Sequence, residues 1–340
     1  MSSIPEQFPA FIATKTTAAD GKAAVERGVG TLAASDLGTG EVTVRVHWSG
    51  VNYKDALATT ADGGVARLSP LVAGVDLAGV VVAVDGDAEV KVGDQVLAHG
   101  GDIGTGRHGG YAHYCRLAAS TVLKVPAGLT MREAMIIGTA GFTAAQSVHA
   151  LERHGISPDG GPVLVTGATG GVGSAAVGIL AQRGYEVVAS TGKSSEADFL
   201  LQLGAKSVIE RSETSAESNR PLEKERWGAV VDCVGGSTLA YAIRTLKYGG
   251  AVAASGLTGG ASLPTTVLPF ILRGVTLLGI DSVSIDMITR EEIWHRCASD
   301  LKPRELDSIA NEIGLDGLEA ALTSVRVGNT RGRALVNLDS

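Results

Sequence analysis

Gly167, Gly170 and Gly173 stand at intervals of three inside VLVTGATGGVGS (Val163 to Ser174), between an apolar run and an Ala/Val/Leu segment that continues to Leu180. The apolar run reads as a buried strand and the following segment as a helix, so the glycines fall at a strand-to-helix turn. Backbone N–H groups of a first helical turn point outward unpaired and carry partial positive charge. Without Cβ atoms in the way, a pyrophosphate can reach them.

The spacing is G-x-x-G-x-x-G rather than the commoner G-x-G-x-x-G of dinucleotide sites. With 46 glycines in 340 residues, chance matches are frequent, so the surroundings must decide. After the helix come a second strand (Glu186 to Ser190), an amphipathic segment (Ser194 to Leu203), a Gly-Ala turn and a third strand (Ser207 to Ile209). That order is a βαβαβ half-unit. The end of its second strand discriminates between dinucleotides. NAD sites place a carboxylate there for the ribose 2′-OH, whereas NADP sites offer small polar groups and a cation to a 2′-phosphate. The chain reads Ser190, Thr191, Gly192, Lys193, with no carboxylate before Glu196, which favours NADP(H).

These residues need a scaffold large enough to hold them. A chain of 340 residues with 44% hydrophobic and 19% charged residues suits two domains with proper cores and excludes a disordered chain. A net charge of −7 without a Lys/Arg-dense run argues against nucleic acid as a partner. The first 15 residues lack a basic region followed by an apolar core, and no apolar stretch reaches 18 residues, so neither a signal peptide nor a membrane span is expected. Cys115, Cys233 and Cys297 are isolated and suit a reducing compartment, and the cytoplasm is the expected location.

Residues 1 to about 126 carry short alternating runs, such as Val42 to Trp48 and Val80 to Val84, with a strand pair expected around Gly93-Asp94. From Pro126 the period becomes helical, over Arg132 to Ile137 and Ala144 to Glu152. Further strands are expected at Ala229 to Asp232, Gly250 to Ser255 and Val275 to Ile280, with a helix over Thr238 to Lys247. A helix over Arg290 to Ser299 precedes a last strand, Gly332 to Leu338, expected to rejoin the first domain.

GEVTVRVHWSGVNYKD (Gly40 to Asp55), PLVAGVDLAGVV (Pro70 to Val81), VGDQVLAHG (Val92 to Gly100), GGYAHY (Gly109 to Tyr114), GTAGFTA (Gly138 to Ala144) and GATGGVGS resemble the medium-chain dehydrogenase/reductase superfamily. Within it MIIGTAGFTA, STGK, RPLEK (Arg220 to Lys224), LPTTVLPFILRGVTLLGIDSV (Leu263 to Val283) and GRALV (Gly332 to Val336) are similar to the acrylyl-CoA reductase branch of the zinc-free quinone oxidoreductases. The resemblance runs nearly end to end. It implies an α/β chain with a GroES-like β-rich catalytic domain (1–126 with 284–340) and a doubly wound parallel-sheet Rossmann domain (127–283) that binds NADPH.

Zinc members of the superfamily place a Cys in the segment held here by Asn52 to Asp55 and a Gly-His-Glu where this chain has Gly74-Val75-Asp76. They also carry a four-cysteine lobe. This chain has neither ligand set. His113 and Cys115, with His108 nearby, could be half a metal site, but no further cluster completes one. No metal is expected, and the implied chemistry is reduction of an activated C=C bond. An α,β-unsaturated thioester takes hydride at Cβ and, once the carbonyl has drawn the charge, a proton at Cα.

Tyr53 is the candidate proton donor and nicotinamide contact, packing being the alternative; Asn52 is a candidate orienting group, and Lys54 with Asp55 reads as a helix-start charge pair. The resemblance implies further cofactor contacts. These are Gly170, Gly171, Val172 and Gly173 at the pyrophosphate, Ser190 to Lys193 and Arg220 at the adenosine phosphate, Gly256 and Leu257 at the nicotinamide ribose, and Ser282 and Asn337 as lining residues. Arg220 serves equally as a surface arginine. Arg67 is the candidate contact to an anionic substrate such as CoA. The expected reaction is NADPH-dependent reduction of acrylyl-CoA, with a quinone or alkenal reductase as the second enzymatic reading and an NADPH-sensing protein as the non-catalytic one. Leu272 to Val283 reads as the terminal strand of the nucleotide-binding sheet. Its open edge predicts a homodimer at Val275 to Ile280.

Overall fold

The computed structural model describes residues 4–216 and 218–340. The chain forms two compact units, one holding residues up to Thr139 with Val283–Glu291 and Ala310–Ser340, the other Ala140–Ser282 with Glu292–Ile309. These bounds differ from those expected from sequence: residues 127–139 and Val283 belong to the first unit and 292–309 to the second.

The first unit opens with a long hairpin, β1 (Gln7–Thr17) and β2 (Ala23–Ala33), followed by β3 (Val42–Gly50), the short helix α1 (Tyr53–Ala58), β4 (Leu71–Val72), β5 (Asp76–Val84), β6 (Gln95–His99), β7 (Tyr114–Leu117) and β8 (Val122–Lys124). The expected strand pair around Gly93-Asp94 is corrected. Residues 90–94 make a turn, in which the Lys91 N–H donates to Asp94 Oδ2 and the Gly93 N–H to the Val81 carbonyl, and only β6 follows as a strand. β3 is the hub, pairing antiparallel with both β5 and β7. Its alternate valines Val42, Val44 and Val46 are fully buried and meet Phe11, Leu77, Val81, Val96 and Leu117 in one core, as period-2 burial requires.

The helix α2 (Met131–Arg153) is broken at Gly138, whose φ of 46° and ψ of −158° are not helical. An L side chain there would meet Arg333 Nη2 at 2.3 Å, so glycine is required by backbone and space together.

The second unit then builds a six-stranded sheet: β9 (Val163–Val165), α3 (Gly171–Gln182), β10 (Val187–Thr191), α4 (Ala197–Gln202), β11 (Ser207–Glu210), α5 (Arg211–Ser215), β12 (Trp227–Asp232), α6 (Gly236–Thr245), β13 (Leu246–Ala254), α7 (Leu268–Arg273) and β14 (Thr276–Gly279). The strand order is β11-β10-β9-β12-β13-β14, every pairing parallel. This is the doubly wound order with its reversal between β9 and β12. β9 and β12 are buried at every residue, which explains their unbroken apolar runs. Leu272 belongs to α7 and the terminal strand is only Thr276–Gly279, so the expected strand from Leu272 to Val283 is corrected.

The chain ends through α8 (Met287–Cys297), α9 (Leu306–Ile309), β15 (Ala310–Ile313), α10 (Leu318–Arg326) and β16 (Arg333–Asn337). β16 pairs antiparallel with β3 in the first unit, Leu335 opposite Gly50, and Leu318, Leu322 and Val336 complete that unit's core. Among the described residues no helix is long and apolar enough to cross a membrane.

Candidate functional site

In the second unit the turn between β9 and α3 is built around Gly167, at φ 58°, and Gly170, which caps the helix in extended conformation. The Gly170 N–H donates to the Gly167 carbonyl at 3.0 Å. A Cβ on Gly173 would lie 2.4 Å from the Gly167 carbonyl oxygen and 2.7 Å from Ala168 Cα, so only glycine lets α3 start this close to its own turn. The N–H groups of Gly171, Val172 and Gly173 are first-turn amides without intrahelical acceptors, and they form an anion-binding end for a 12-residue helix.

The turn is tied to the next strand through side chains. Thr169 Oγ1 lies 3.2 Å from Thr191 Oγ1, which also accepts the Lys193 N–H at 3.1 Å. Ser190 Oγ, fully buried, lies 2.8 Å from Thr214 Oγ1 on α5. The Ser190 and Thr191 hydroxyls are therefore engaged with the protein and set the shape of the strand end. Thr214 also fastens α5 here, and α5 begins with Arg211. Its guanidinium lies on the Gly192 backbone: a Cβ on Gly192 would meet Nη2 at 2.6 Å and Nε at 2.8 Å. Burial pulls the Lys193 ammonium below the usual lysine range; Glu196 opposes the drop and the positive charge of Arg211 adds to it. Two cations held together beside a strand end are the arrangement a multiply charged anion relieves.

Arg220 is exposed, its N–H donating to Ser218 Oγ, and among the described residues no hydrogen bond or ion pair links its side chain to Ser190–Lys193. Arg211 is the cation that sequence reading passed over. The available signal was its place as the first residue after β11, the strand beside β10.

The carboxyl ends of the neighbouring strands are cross-braced. Thr166 Oγ1 donates to Asp232 Oδ1 at 2.7 Å and accepts the Cys233 N–H, while Asp232 Oδ2 accepts the Gly235 N–H. Burial raises the Asp232 carboxyl above its ordinary range. Gly256 follows β13 so closely against Cys233 that a Cβ would lie 1.9 Å from its carbonyl oxygen, and Leu257 beside it is 61% exposed. Ser282 is buried and accepts a hydrogen bond from Thr143 Oγ1 at 2.9 Å.

Asn52, Tyr53, Arg67 and Asn337 belong to the first unit. The Asp76 carboxylate is the centre of a buried network. Its Oδ1 accepts the Gly50 N–H at 2.9 Å, and its Oδ2 accepts the Thr139 N–H (2.8 Å), Asn52 Nδ2 (2.9 Å) and Arg333 Nη2 (3.2 Å). Arg333 Nη1 donates to Asn52 Oδ1 at 2.9 Å. The polar atoms of Asn52 are thus committed to an ion pair, and the residue positions the start of α1. The expected helix-start charge pair of Lys54 and Asp55 is corrected. Asp55 is fully buried, its Oδ2 accepts the Asn52 N–H at 2.8 Å, and its Oδ1 accepts those of Gly74 and Val75. Burial, then the charge of Asp76, pushes its carboxyl up to about 7.

Tyr53, the first residue of α1, is half-buried, and its hydroxyl accepts a hydrogen bond from Arg326 Nη1 at 2.8 Å. Arg67 is exposed with its guanidinium against Gly106, 3.1 Å from where a Cβ would sit. Asn337 Nδ2 donates to Glu312 Oε1. His108 Nδ1 accepts the Val72 N–H, and Cys115 Sγ donates to the His108 carbonyl. Among the described residues no three His, Cys, Asp or Glu side chains gather as metal ligands.

Residues 38–127 match the alcohol dehydrogenase GroES-like domain family and residues 171–298 the zinc-binding dehydrogenase family. The chain is 47% identical over 311 residues to the putative quinone oxidoreductase YhfP of Bacillus subtilis, covering 91% of this chain and 94% of that one. The solved structure of YhfP, with NAD bound, superposes with a TM-score of 0.94 at 45% identity, covering 98% and 100% of the two chains. Acrylyl-CoA reductase AcuI of Ruegeria pomeroyi is 46% identical over 309 residues, 91% of this chain and 93% of the relative. The YhdH oxidoreductase of Salmonella enterica, solved in complex with NADP, superposes with a TM-score of 0.92 at 44% identity, covering 97% and 99%.

Proposed function

Because the chain belongs to the zinc-free, quinone-oxidoreductase-like branch of the medium-chain dehydrogenase/reductase superfamily, we propose that it reduces the C=C bond of a short 2-enoyl-CoA, acrylyl-CoA to propanoyl-CoA, with NADPH. The observation that carries the cofactor is the pair of cations, Lys193 and Arg211, at the end of β10 with no carboxylate among Ser190 to Lys193. The substrate class rests on the similarity to AcuI over 91% of the chain.

Bound NADPH supplies the hydride. The glycine turn and first-turn amides of α3 would hold the pyrophosphate, and Lys193 and Arg211 the 2′-phosphate; in the second unit Gly256, Leu257 and Ser282 are assigned to the nicotinamide end. Tyr53 delivers a proton to Cα of the substrate after hydride has reached Cβ, and Asn52, through Asp76 and Arg333, keeps α1 in place for this step. Arg67, an exposed arginine without a carboxylate partner among the described residues, is assigned to the phosphates of CoA.

The name of YhfP supports a second reading, in which the same hydride passes to a quinone or a free enone. Steady-state rates with NADPH and acrylyl-CoA, crotonyl-CoA, a benzoquinone and a free enone separate the two. The proposal expects kcat/KM highest for acrylyl-CoA, and a quinone preferred over every thioester overturns it. Binding of NADPH with no turnover of any of them leaves the sensing role.

The free cysteines suit the reducing cytoplasm as the working compartment. The chain is assigned as a homodimer joined along β14, the edge of its sheet, whose flanking surface carries exposed Val267, Ile271, Leu272 and Leu277.

A further inference from the structure

We propose that Arg326 is a positioning residue for proton transfer, holding the Tyr53 hydroxyl as an acid and meeting the negative charge that forms on its oxygen. The inference rests on the reading of Tyr53 as the proton donor.

Arg326 ends α10, more than 270 positions from Tyr53 in sequence, and its guanidinium is held in three ways. Nη1 donates to the Tyr53 hydroxyl at 2.8 Å, Nη2 donates to Asp62 Oδ2 at 2.8 Å, and Cζ lies 5.8 Å from the centroid of the Tyr53 ring. The fork is therefore oriented rather than free, and the charge of Arg326 holds the Asp62 carboxyl below its usual range.

Guanidinium has only donors and stays protonated, so it neither accepts the phenolic proton nor supplies one of its own. By occupying a lone pair of the hydroxyl oxygen it leaves the O–H hydrogen for a different acceptor. When that O–H bond breaks, its proton forms the new C–H bond at Cα of the substrate, whose electron pair came from the C=C bond after hydride from NADPH added at Cβ. The charge left on the phenolic oxygen then sits one hydrogen bond from a fixed cation, and water returns the proton to Tyr53 afterwards. A donor already in place where charge develops requires no reorganisation during the step.

Three of the other charges around α1, those of Asp55, Arg27 and Glu319, are engaged elsewhere. Asp55 is bound to the amides of Asn52, Gly74 and Val75. Arg27 and Glu319 pair with each other, Arg27 reaching Thr59 at the far end of the helix.

The test uses the full-length enzyme with whichever of acrylyl-CoA and the free enone it reduces, in variants Arg326→Ala, Arg326→Lys, Tyr53→Phe and the Arg326→Ala/Tyr53→Phe double. Arg326→Ala is expected to lower kcat by about 10- to 100-fold, to leave NADPH affinity within a factor of about two, and to enlarge the solvent deuterium isotope effect. Millimolar guanidinium should restore part of the Arg326→Ala rate, and Arg326→Lys should lie between the two. In the Tyr53→Phe background, removing Arg326 should cost no further rate. A slow Tyr53→Phe with an unchanged Arg326→Ala overturns the inference and spares Tyr53; so does a double variant in which the two losses multiply. A Tyr53→Phe enzyme with full kcat overturns both.

Discussion

Arg333→Met removes one side of a fully buried ion pair in the first unit. Arg333 and Asp76 expose 1% and 0% of their side chains, and Nη2 lies 3.2 Å from Oδ2. Two unit charges about 4 Å apart attract by about 4 kcal/mol at the effective dielectric of 20 that suits protein sites. Stripping one partner from a buried pair costs about 3–5 kcal/mol, because the other charge stays in a site water does not reach. Asp76 keeps the amides of Gly50, Thr139 and Asn52, which offset part of that loss, while Asn52 Oδ1 loses its donor. Methionine fills the aliphatic part of the volume, so little cavity cost is added. The net expectation is a loss of about 3 kcal/mol, a large share of a stability of about 5–15 kcal/mol. Urea unfolding followed by fluorescence measures it. Because Asn52 immediately precedes Tyr53, kcat should fall more than NADPH affinity. A loss under about 1 kcal/mol with unchanged kcat would refute the reasoning, since it would mean that the pair is no better than a surface one.

Three further outcomes are expected. Arg211→Ala and Lys193→Glu should each weaken NADPH binding about tenfold or more, because a charge-assisted contact is worth about 1.5–3 kcal/mol, and exposed Arg211 and half-buried Lys193 fall toward the low end of that range; NADH titrations should be unaffected by Arg211→Ala, and equal losses for both cofactors would contradict a 2′-phosphate role. The Asp55 carboxyl, at about 7 in the fold, lies above its unfolded value. Its contribution to stability is therefore complete below the unfolded pKa, near 4, and is lost as pH rises toward 7. Asp55→Asn should flatten unfolding free energy measured between pH 5 and 7.5, and an unchanged slope would deny the raised carboxyl. Just past β14 the Ile280 N–H bonds back to the Ala254 carbonyl, so by alternation the Leu277 N–H faces the open edge. Leu277→Pro should convert a particle of twice the chain mass to a monomer in light scattering, and a monomeric parent protein would reject the dimer.

The nucleotide-binding unit was legible because its signals are local. Val163–Val165 and Trp227–Asp232 are covered on both faces and so read as unbroken apolar runs, and Gly167, Gly170 and Gly173 lie within seven residues of one another. The extent of the terminal strand is not legible in the sequence, because an apolar run does not distinguish helix from strand. Pro269 in the first turn of α7 and the left-handed Gly274 after it were the boundary marks to weigh. What sequence could not provide are contacts between distant segments. Gly50 and Gly138 look like ordinary turn glycines, yet a Cβ on either would strike Arg333 Nη2, nearly 200 residues or more away in the chain. Asp55 and Lys54 are adjacent charges in the sequence, and only the approach of Gly74 and Val75 makes the first a buried acceptor. Arg211 and Arg326 carried no motif; their roles come from Gly192 and Tyr53, which the fold brings to them.

The central claim is best tested by following atoms. Acrylyl-CoA is reduced with NADPH carrying deuterium at the transferred C4 position, and in a separate run with unlabelled NADPH in D2O, and the propanoyl-CoA formed is read by mass spectrometry and NMR. The account predicts one deuterium at C3 from the cofactor and one at C2 from solvent, by way of the exchangeable hydroxyl of Tyr53. Cofactor deuterium at C2, or no propanoyl-CoA while a quinone oxidises the same NADPH, would contradict it.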